Sequence, residues 1–413
     1  MIAFHYPPLL GSSGVHRTLT FSRHLPEFGW EPLILTAVAS AYPSVAAEHN
    51  DRVPKGIVVA RALALDAARH LSIAGRTLRP LALPDRWVSW WPAAVMKGLR
   101  LIRQYKPKVI WSTYPIATAQ LIGLTLHRLS GIPWVADFRD PMNEEDPATG
   151  EKFPSDPAVR RVNRWIEQPT IRYCSRAVFT TPGTARMYRA HYPEVPQSRW
   201  RIIANGYDEV SFREAESRPR PARTADGRVV LVHSGVIYPS ERDPRAFFGA
   251  LADLRRAGKF TPDNLKVVLR ASGHEDKYRT YLENLNIQDL VVLEGMIPYS
   301  EALAEMLSAD GLLLFQGSTC NWQIPAKLYE YLRARRPILA MTDPNGDTAM
   351  ALKEEGIDTI VPLDSREDVA RALLAFVTRI RAGRAPIASG EAIEGHSRRC
   401  RTKELAEVLD SVV

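Results

Sequence analysis

A polar loop followed by a helix in the second half of the chain has residue types that can bind a charged ligand. The loop covers residues 317–323, and Pro325 stands near the start of the predicted helix. Lys327 and Glu330 are three residues apart, which places them on one face of the first helical turns. A lysine there can neutralise a diphosphate, and a carboxylate one turn further can accept hydrogen bonds from a ribose diol. An exposed ion pair with no ligand explains the same spacing.

A second loop of this kind lies near the N-terminus, where Gly11, Ser12, Ser13 and Gly14 lead into a predicted helix. Glycine lets the backbone approach a ligand closely, and free N–H groups at a helix N-terminus favour an anion such as phosphate. The spacing matches neither the Gly-x-Gly-x-x-Gly fingerprint of nicotinamide enzymes nor the pattern of P-loop ATPases. A tight turn that caps the helix is the structural alternative.

Charged residues also follow the apolar run Trp134 to Ala136, where Asp137, Arg139 and Asp140 come at the end of a predicted strand. Their carboxylates can orient the hydroxyl groups of a ligand by hydrogen bonds. An internal Asp–Arg pair that braces the loop is an equally good interpretation. No Asp-x-Asp occurs anywhere in the sequence, and we therefore expect no metal site.

Short apolar runs alternate with amphipathic segments along the chain, which is typical of parallel strands joined by crossover helices. Residues 213–228 interrupt this alternation with two prolines and five arginines, as an exposed connection would. We predict an α/β fold of two Rossmann-like domains facing each other across a cleft. The predicted organisation is an N-terminal domain at 1–212, a linker at 213–228 and a C-terminal domain at 229–413, whose last helix packs back on the first domain. Ligands in such sheets bind at the loops that follow the strands.

The net charge of +8 is concentrated in one window, because Arg61 to Lys108 holds ten basic and two acidic residues. Trp87, Trp90 and Trp91 lie among these cations, as in surfaces that contact anionic membranes. Packing of the tryptophans into the first domain is the alternative. The three cysteines have no paired spacing, which favours a reducing cytosol over a disulfide framework or a zinc site. We expect a cytoplasmic protein, peripheral on the inner face of the membrane.

Several segments resemble, in order, those of family 4 glycosyltransferases with the GT-B fold. The most informative is Ile324-Pro325-Ala326-Lys327-Leu328-Tyr329-Glu330-Tyr331-Leu332, and the others cover residues 6–17, 134–141, 205–208 and 233–238. The resemblance implies transfer of a sugar from a nucleotide-sugar donor to an acceptor, such as a glycan or lipid-linked glycan, with retention of anomeric configuration. The nucleotide-sugar is then a substrate, and no cofactor is needed.

The resemblance also implies roles for individual residues. Arg242 and Lys327 take the catalytic role of stabilising the leaving diphosphate, Glu330 binds the ribose, and Gly235 and Ile297 contact the nucleotide. The residues expected at the donor sugar or the acceptor are Gly11, Ser12, Ser13, Gly14, Gln120, Asp137, Arg139, Asp140 and Gln323.

Three positions depart from the family pattern. Trp322 stands where many relatives have a glutamate, Gln120 stands where a histidine is frequent, and Val236 replaces an arginine. A catalytically impaired nucleotide-sugar-binding protein and a GT-B nucleotide-sugar epimerase therefore remain alternatives. Nucleic-acid binding is disfavoured because the basic window contains no recognition module.

Overall fold

Two units, each with its own core, make up the described structure. The computed structural model describes residues 1–10, 13–46, 51–73, 76–145, 150–218 and 227–413. The first unit comprises Met1–Asn205 together with Arg398–Val413, and the second comprises Gly206–Ser397.

The division after Asn205 comes earlier than the predicted linker at 213–228. Residues 219–226 of that stretch lie outside the described residues. The segment before them is a helix of the second unit, because Arg333 donates hydrogen bonds to the carboxylates of Glu209 (2.7 Å) and Glu216 (2.9 Å). These long-range ion pairs bind residues 209–216 to the second unit, although their composition resembles that of a linker.

The first unit contains a sheet of parallel strands. Its strands and short pairs are β1 (Leu33–Ala37), β2 (Val58–Ala62), β3 (Ser72–Ile73), β4 (Arg76–Thr77), β5 (Ile110–Thr113), β6 (Trp134–Phe138), β7 (Glu144–Glu145), β8 (Lys152–Phe153), β9 (Arg176–Phe179) and β10 (Trp200–Ile202). The order is β10-β9-β6-β5, then Ile2, then β1-β2, since Ile2 forms parallel bridges to Ser112 and Leu35. The apolar run Ile2–Phe4 predicts a first strand, but in the structure only Ile2 forms bridges. Pro7 and Pro8, which follow, have no backbone N–H for a ladder.

Helices cover the sheet of the first unit. They are α1 (Ser13–His24), α2 (Ala67–His70), α3 (Trp90–Tyr105), α4 (Ala117–Ser130), α5 (Pro157–Tyr173) and α6 (Pro182–His191). Helix α4 packs against both α3 and α5. All five residues of β6 are buried, as expected for a parallel strand enclosed on both faces.

The second unit has a single six-stranded parallel sheet. Its strands are β11 (Val229–Ser234), β12 (Leu265–Arg270), β13 (Val291–Glu294), β14 (Gly311–Phe315), β15 (Ile338–Met341) and β16 (Ile360–Val361). The order β13-β12-β11-β14-β15-β16 is that of a doubly wound Rossmann sheet. The chain reverses its winding direction between β11 and β14, and ligands in such sheets bind outside the carboxyl ends of the strands at that reversal.

The helices of the second unit are α7 (Glu209–Glu216), α8 (Arg245–Arg256), α9 (Glu275–Asn284), α10 (Tyr299–Ser308), α11 (Lys327–Ala334), α12 (Asp347–Glu354), α13 (Arg366–Arg381) and α14 (Gly390–Gly395). The final helix, α15 (Arg398–Asp410), belongs to the first unit, where it packs against α1. Two Rossmann-like units confirm the predicted α/β fold class.

Candidate functional site

The loops after β11 and β14 are bound to each other where the winding of the second unit reverses. The Gly317 N–H donates to the Glu241 carbonyl oxygen at 2.5 Å, and a Cβ at Gly317 would lie 2.8 Å from that oxygen. The buried Gln316 amide donates to the carbonyl oxygens of Cys320 and Gln323, both at 2.7 Å. These bonds brace the polar loop and set the start of α11.

Lys327 is the first residue of α11, and its Nζ lies 3.1 Å from Nε2 of His233 on β11. His233 is fully buried, with Nδ1 2.8 Å from the Leu313 carbonyl oxygen. Burial, followed by the positive charge of Arg242, lowers the pKa of Lys327 to about 7. Burial also lowers the pKa of His233 well below its usual value, so this imidazole is neutral near pH 7. The structure therefore presents a lysine amine against a neutral base.

The second cation is Arg242, in the loop after β11. Its Nη1 donates to the Val236 carbonyl oxygen at 3.1 Å, and its guanidinium lies 5.4 Å from the centre of the Tyr238 ring. The Nε of Arg242 is buried and has no hydrogen-bond partner among the described residues. A buried donor without a partner costs about 1–3 kcal/mol, which an anionic ligand at this position would recover.

Gly235 makes room for Lys327. Its φ of +103° is a conformation that side chains disfavour, and a Cβ there would lie 3.1 Å from Lys327 Nζ. Gly235, which is predicted to contact the nucleotide, therefore lies directly beside the lysine.

Glu330 lies one turn after Lys327 on α11. Its Oε1 accepts a hydrogen bond of 2.7 Å from the hydroxyl of Tyr299, the first residue of α10. Ile297 is half-buried in the loop between β13 and α10. The structure therefore brings Tyr299 to the predicted ribose-binding carboxylate.

Gln323 and Trp322 end the polar loop before α11. The Gln323 carbonyl oxygen accepts a hydrogen bond of 3.0 Å from the Thr348 hydroxyl, in addition to the Gln316 bond, and its side chain is half-buried. Trp322 is also half-buried. Hydrogen bonds therefore fix the backbone of Gln323, and its role at the donor sugar or the acceptor stays a prediction.

Asp137, in the first unit, is fully buried and forms an ion pair with the buried Arg17. Arg17 donates to its two carboxylate oxygens at 3.1 and 2.8 Å, and the Thr113 hydroxyl donates to it at 2.7 Å. Arg17 also donates to the carbonyl oxygens of Ile203 and Ala204. The contacts of Asp137 are those of a structural brace between strands and α1, as in the second interpretation of this motif, with Arg17 as the partner.

Arg139 and Asp140 lie just beyond β6 and are half-buried. A Cβ at Gly14 would lie 2.5 Å from Arg139 Nη1 and 2.4 Å from His5 Nδ1, so the start of α1 is in close contact with both side chains. Burial, followed by the charge of Arg139, lowers the pKa of His5 to about 4. Arg139 therefore places a positive charge at the N-terminus of α1, beside a neutral histidine.

The other residues of the first unit that are predicted to contact the donor sugar or the acceptor are Gln120, Ser13, Gly11 and Ser12. Gln120 is fully buried, and both of its amide atoms are used internally: Oε1 accepts from Ser112 at 2.6 Å and Nε2 donates to the Asp137 carbonyl oxygen at 3.1 Å. Ser13 is the first residue of α1. Gly11 and Ser12 lie outside the described residues.

Several side chains of the window Arg61–Lys108 pack into the first unit or form hydrogen bonds within it. Trp90 is fully buried in the core of the first unit, and Trp87 and Trp91 pack against that core. Arg86 forms an ion pair with the buried Asp66, whereas Arg61 donates to backbone carbonyl oxygens. Core packing therefore accounts for these tryptophans.

Residues 14–206 match the family model described as the glycosyl transferase 4-like domain. This segment is a glycosyl transferase 4-like domain. The match covers α1 and all ten strands of the first unit, including Arg17 and Asp137. A search of curated protein sequences finds no match to the chain.

Solved structures with the same fold extend the likeness from the glycosyl transferase 4-like domain to the whole chain. A glycosyltransferase from Rickettsia africae has a TM-score of 0.66 at 10% identity, and the match covers 100% of this chain and 98% of that one. HepE of Anabaena, in complex with UDP-glucose, has a TM-score of 0.65 at 15% identity over 99% of both chains. WaaG, a glycosyltransferase involved in lipopolysaccharide biosynthesis, has a TM-score of 0.62 at 12% identity over 99% of both chains.

The family-model match confirms the resemblance to family 4 glycosyltransferases over residues 14–206 and supports glycosyl transfer as the class of activity. The solved structures confirm the predicted GT-B fold. Among the described residues, no helix is both long enough and apolar enough to span a bilayer.

His233 and Tyr299, which contact Lys327 and Glu330, have no role predicted from the sequence. His233 places a buried ionisable side chain in the otherwise apolar strand β11. A histidine after an apolar run is the sequence feature that could have indicated a role for it. Tyr299 opens α10 with no local pattern that distinguishes it from a packing residue, because its partner Glu330 is distant in sequence.

Proposed function

We propose that this chain is a glycosyltransferase that takes a sugar from a nucleotide-sugar donor and transfers it to an acceptor. The proposal rests on the pair of cations at the reversal of the second sheet. Lys327 is the first residue of α11, after the loop that follows β14, and Arg242 lies in the loop after β11. The buried Nε of Arg242 has no hydrogen-bond partner among the described residues. Two basic side chains, Lys327 and Arg242, beside the N-terminus of α11 fit a diphosphate better than any neutral ligand.

The chemistry follows from where charge develops. When the bond from the anomeric carbon to the diphosphate breaks, negative charge grows on the leaving oxygen. We assign Lys327, Arg242 and the N-terminus of α11 the role of stabilising that charge, which makes the proposed reaction independent of a metal ion. Retention of configuration is part of the proposal through the family resemblance.

The nucleoside is assigned to the neighbouring loops of the same unit. Glu330, held by Tyr299, accepts hydrogen bonds from the ribose hydroxyls, and Gly235 and Ile297 line the nucleotide. UDP-glucose in the HepE complex supports a nucleotide-sugar as the donor class.

The acceptor is assigned to the first unit. Gly14, Arg139 and Asp140 are at the carboxyl end of β6 and the start of α1, where a Rossmann sheet binds its ligand. We propose a glycan or a lipid-linked glycan as acceptor, reached by peripheral contact of the window Arg61–Lys108 with an anionic membrane. WaaG, involved in lipopolysaccharide biosynthesis, supports this acceptor class.

The test of donor binding is a thermal-unfolding screen with UDP, GDP, ADP and their sugars. A ligand that binds only the folded protein raises the unfolding temperature in proportion to its occupancy. We expect one nucleotide to stabilise the protein more than the others. No stabilisation by any nucleotide at millimolar concentration would contradict the proposal.

The test of catalysis is Lys327→Ala, with Lys259→Ala on the exposed surface of the same unit as the matched control. Removing a group that stabilises the leaving diphosphate should lower the transfer rate about 100-fold or more. The control should transfer at the wild-type rate. A Lys327→Ala protein with unchanged rate and unchanged nucleotide binding would contradict the assignment.

A nucleotide-sugar-binding protein without transferase activity is the second candidate. Trp322 at the glutamate position and the internal hydrogen bonds of Gln120 favour it. Release of free nucleoside diphosphate from a donor panel would exclude this candidate, and analysis of the sugar product would separate transfer from epimerisation.

A further inference from the structure

A groove of about 480 Å³ lies on the first unit between α4 and α5, beside α3. We name it the α4/α5 groove; its lining includes Trp91, Arg128, Leu129, Trp165, Arg172 and Tyr173. Leu129, Trp165 and Tyr173 are 61%, 62% and 44% exposed. Large apolar side chains gathered in one exposed place mark a surface that binds an apolar partner.

The walls of the groove are held by internal contacts. The Trp91 indole N–H donates to the Thr125 hydroxyl at 3.0 Å, so the polar atom of this ring is satisfied between α3 and α4. Buried residues Leu121 and Leu124 form the floor. The Trp91 ring is therefore anchored to α4 and faces the groove with its apolar atoms beside Leu121 and Leu124 in the lining.

Two cations stand at the groove. The Arg128 guanidinium lies 4.6 Å from the centre of the Tyr173 ring, and both Arg128 and Arg172 are exposed. An aromatic ring under a guanidinium keeps the charge beside the apolar surface. This combination of cation and hydrocarbon matches a lipid, whose phosphate lies next to its acyl chains.

The surrounding helices are cationic throughout. Helices α3, α4 and α5, which are described in full, carry eight Lys and Arg residues and one acidic residue, Glu167. Glu167 is 6% exposed and accepts hydrogen bonds from the hydroxyls of Tyr188 and Tyr192. No exposed carboxylate on these three helices therefore opposes an anionic surface.

We propose that the α4/α5 groove takes an acyl chain of an anionic phospholipid, with Arg128 and Arg172 on the phosphate, and so docks the first unit on a bilayer. This proposal rests on the proposed function in one respect, because docking on a bilayer would bring the first unit to a lipid-linked acceptor. It adds a contact on α4 and α5 to the one proposed for the window Arg61–Lys108, whose tryptophans pack against the core.

The experiment is co-sedimentation of the full chain with vesicles of phosphatidylcholine, alone or mixed with phosphatidylglycerol. We expect binding to the mixed vesicles, weakened by high salt. Each cation near an anionic bilayer contributes about 1 kcal/mol, and about 1.4 kcal/mol corresponds to a tenfold change in affinity. Arg128→Gln with Arg172→Gln should therefore lower the affinity for the mixed vesicles about 30-fold. Leu129→Ser with Trp165→Ser should lower it at least about tenfold.

The matched control is Met96→Ser, which removes a 59% exposed side chain of α3 that is not part of the groove lining. It should bind vesicles like the wild type. All variants should keep the wild-type unfolding temperature, because the changed side chains are exposed.

Absence of vesicle binding by the wild type, or equal losses for Met96→Ser and the groove variants, would overturn the proposal. A wild-type dimer that Leu129→Ser with Trp165→Ser converts to monomers, without vesicle binding, would show instead that a second copy occupies the groove. Stabilisation by nucleotides is measured on the same samples. If no nucleotide stabilises the wild-type protein, the proposed function is contradicted, whereas the conclusion from vesicle binding is unaffected.

Discussion

The protonation of Lys327 gives the sharpest test of the donor site. Burial and the charge of Arg242 lower the pKa of this amine to about 7 in the ligand-free protein. A bound diphosphate places negative charge beside the amine, which favours the ammonium and raises its pKa. Donor binding above pH 7 should therefore take up a proton.

The expected size follows from the pKa of the free protein. With a pKa of about 7, Lys327 is about one-tenth protonated at pH 8 and about nine-tenths protonated at pH 6. Complete protonation in the complex then requires uptake of about 0.9 proton at pH 8 and about 0.1 at pH 6. Affinity for the donor should fall about tenfold per pH unit above pH 7, until the pH reaches the pKa of the complex.

Calorimetry in buffers of different ionisation enthalpy measures this uptake directly. The slope of the observed binding enthalpy against the buffer enthalpy is the number of protons taken up. The nucleotide-sugar is the correct ligand, since its diphosphate has no group that titrates near pH 7. His233 adds no proton in this range because burial keeps it neutral.

Lys327→Arg is the control, because a guanidinium stays charged over the whole range. It should bind the donor with no proton uptake at pH 8. A slope near zero for the wild type at pH 8, or equal slopes for wild type and Lys327→Arg, would refute the reasoning.

Three further substitutions test the surroundings. Gly235→Ala forces a side chain into a positive φ, at a cost of about 1–2 kcal/mol, and crowds the lysine; donor titration should show affinity lowered at least about tenfold. Asp137→Ala leaves the Arg17 charge buried and unpaired, so urea unfolding should show a loss of about 3–5 kcal/mol, and a loss below about 1 kcal/mol would exclude the brace. Tyr299→Phe removes one hydrogen bond from Glu330; nucleotide affinity should fall about fivefold while affinity for the 2′,3′-dideoxy nucleotide changes little.

The sequence predicted the succession of elements well because their signals are local. The pattern of residues 156–174 predicts a helix, and the structure has α5 there, where the Asp156 carboxylate accepts from the Ala158 N–H at 2.8 Å as an N-cap. The pattern of residues 299–307 likewise predicts a helix, which corresponds to α10. Apolar periodicity and caps involve neighbours within one or two turns, so they can be identified without the fold.

Residues of the candidate site could be predicted to lie together only where they belong to the same short segment of the chain. Lys327 and Glu330 lie on the first turns of one helix, and their spacing was enough to place them together. The partner of Asp137 could not be read in this way, since Arg17 is 120 positions away and only the parallel sheet brings them together. The extent of the second unit depends equally on long-range ion pairs to Arg333.

Local chemistry therefore determined the α/β class, the polar loop and the candidate lysine and glutamate of this protein. Tertiary structure decided what each side chain faces: a neutral His233 beside Lys327, a buried Arg17 on Asp137, and a core around Trp90. The physical reason is that pKa values, ion pairing and burial depend on every group within a few ångströms, and most of those groups come from distant parts of the chain.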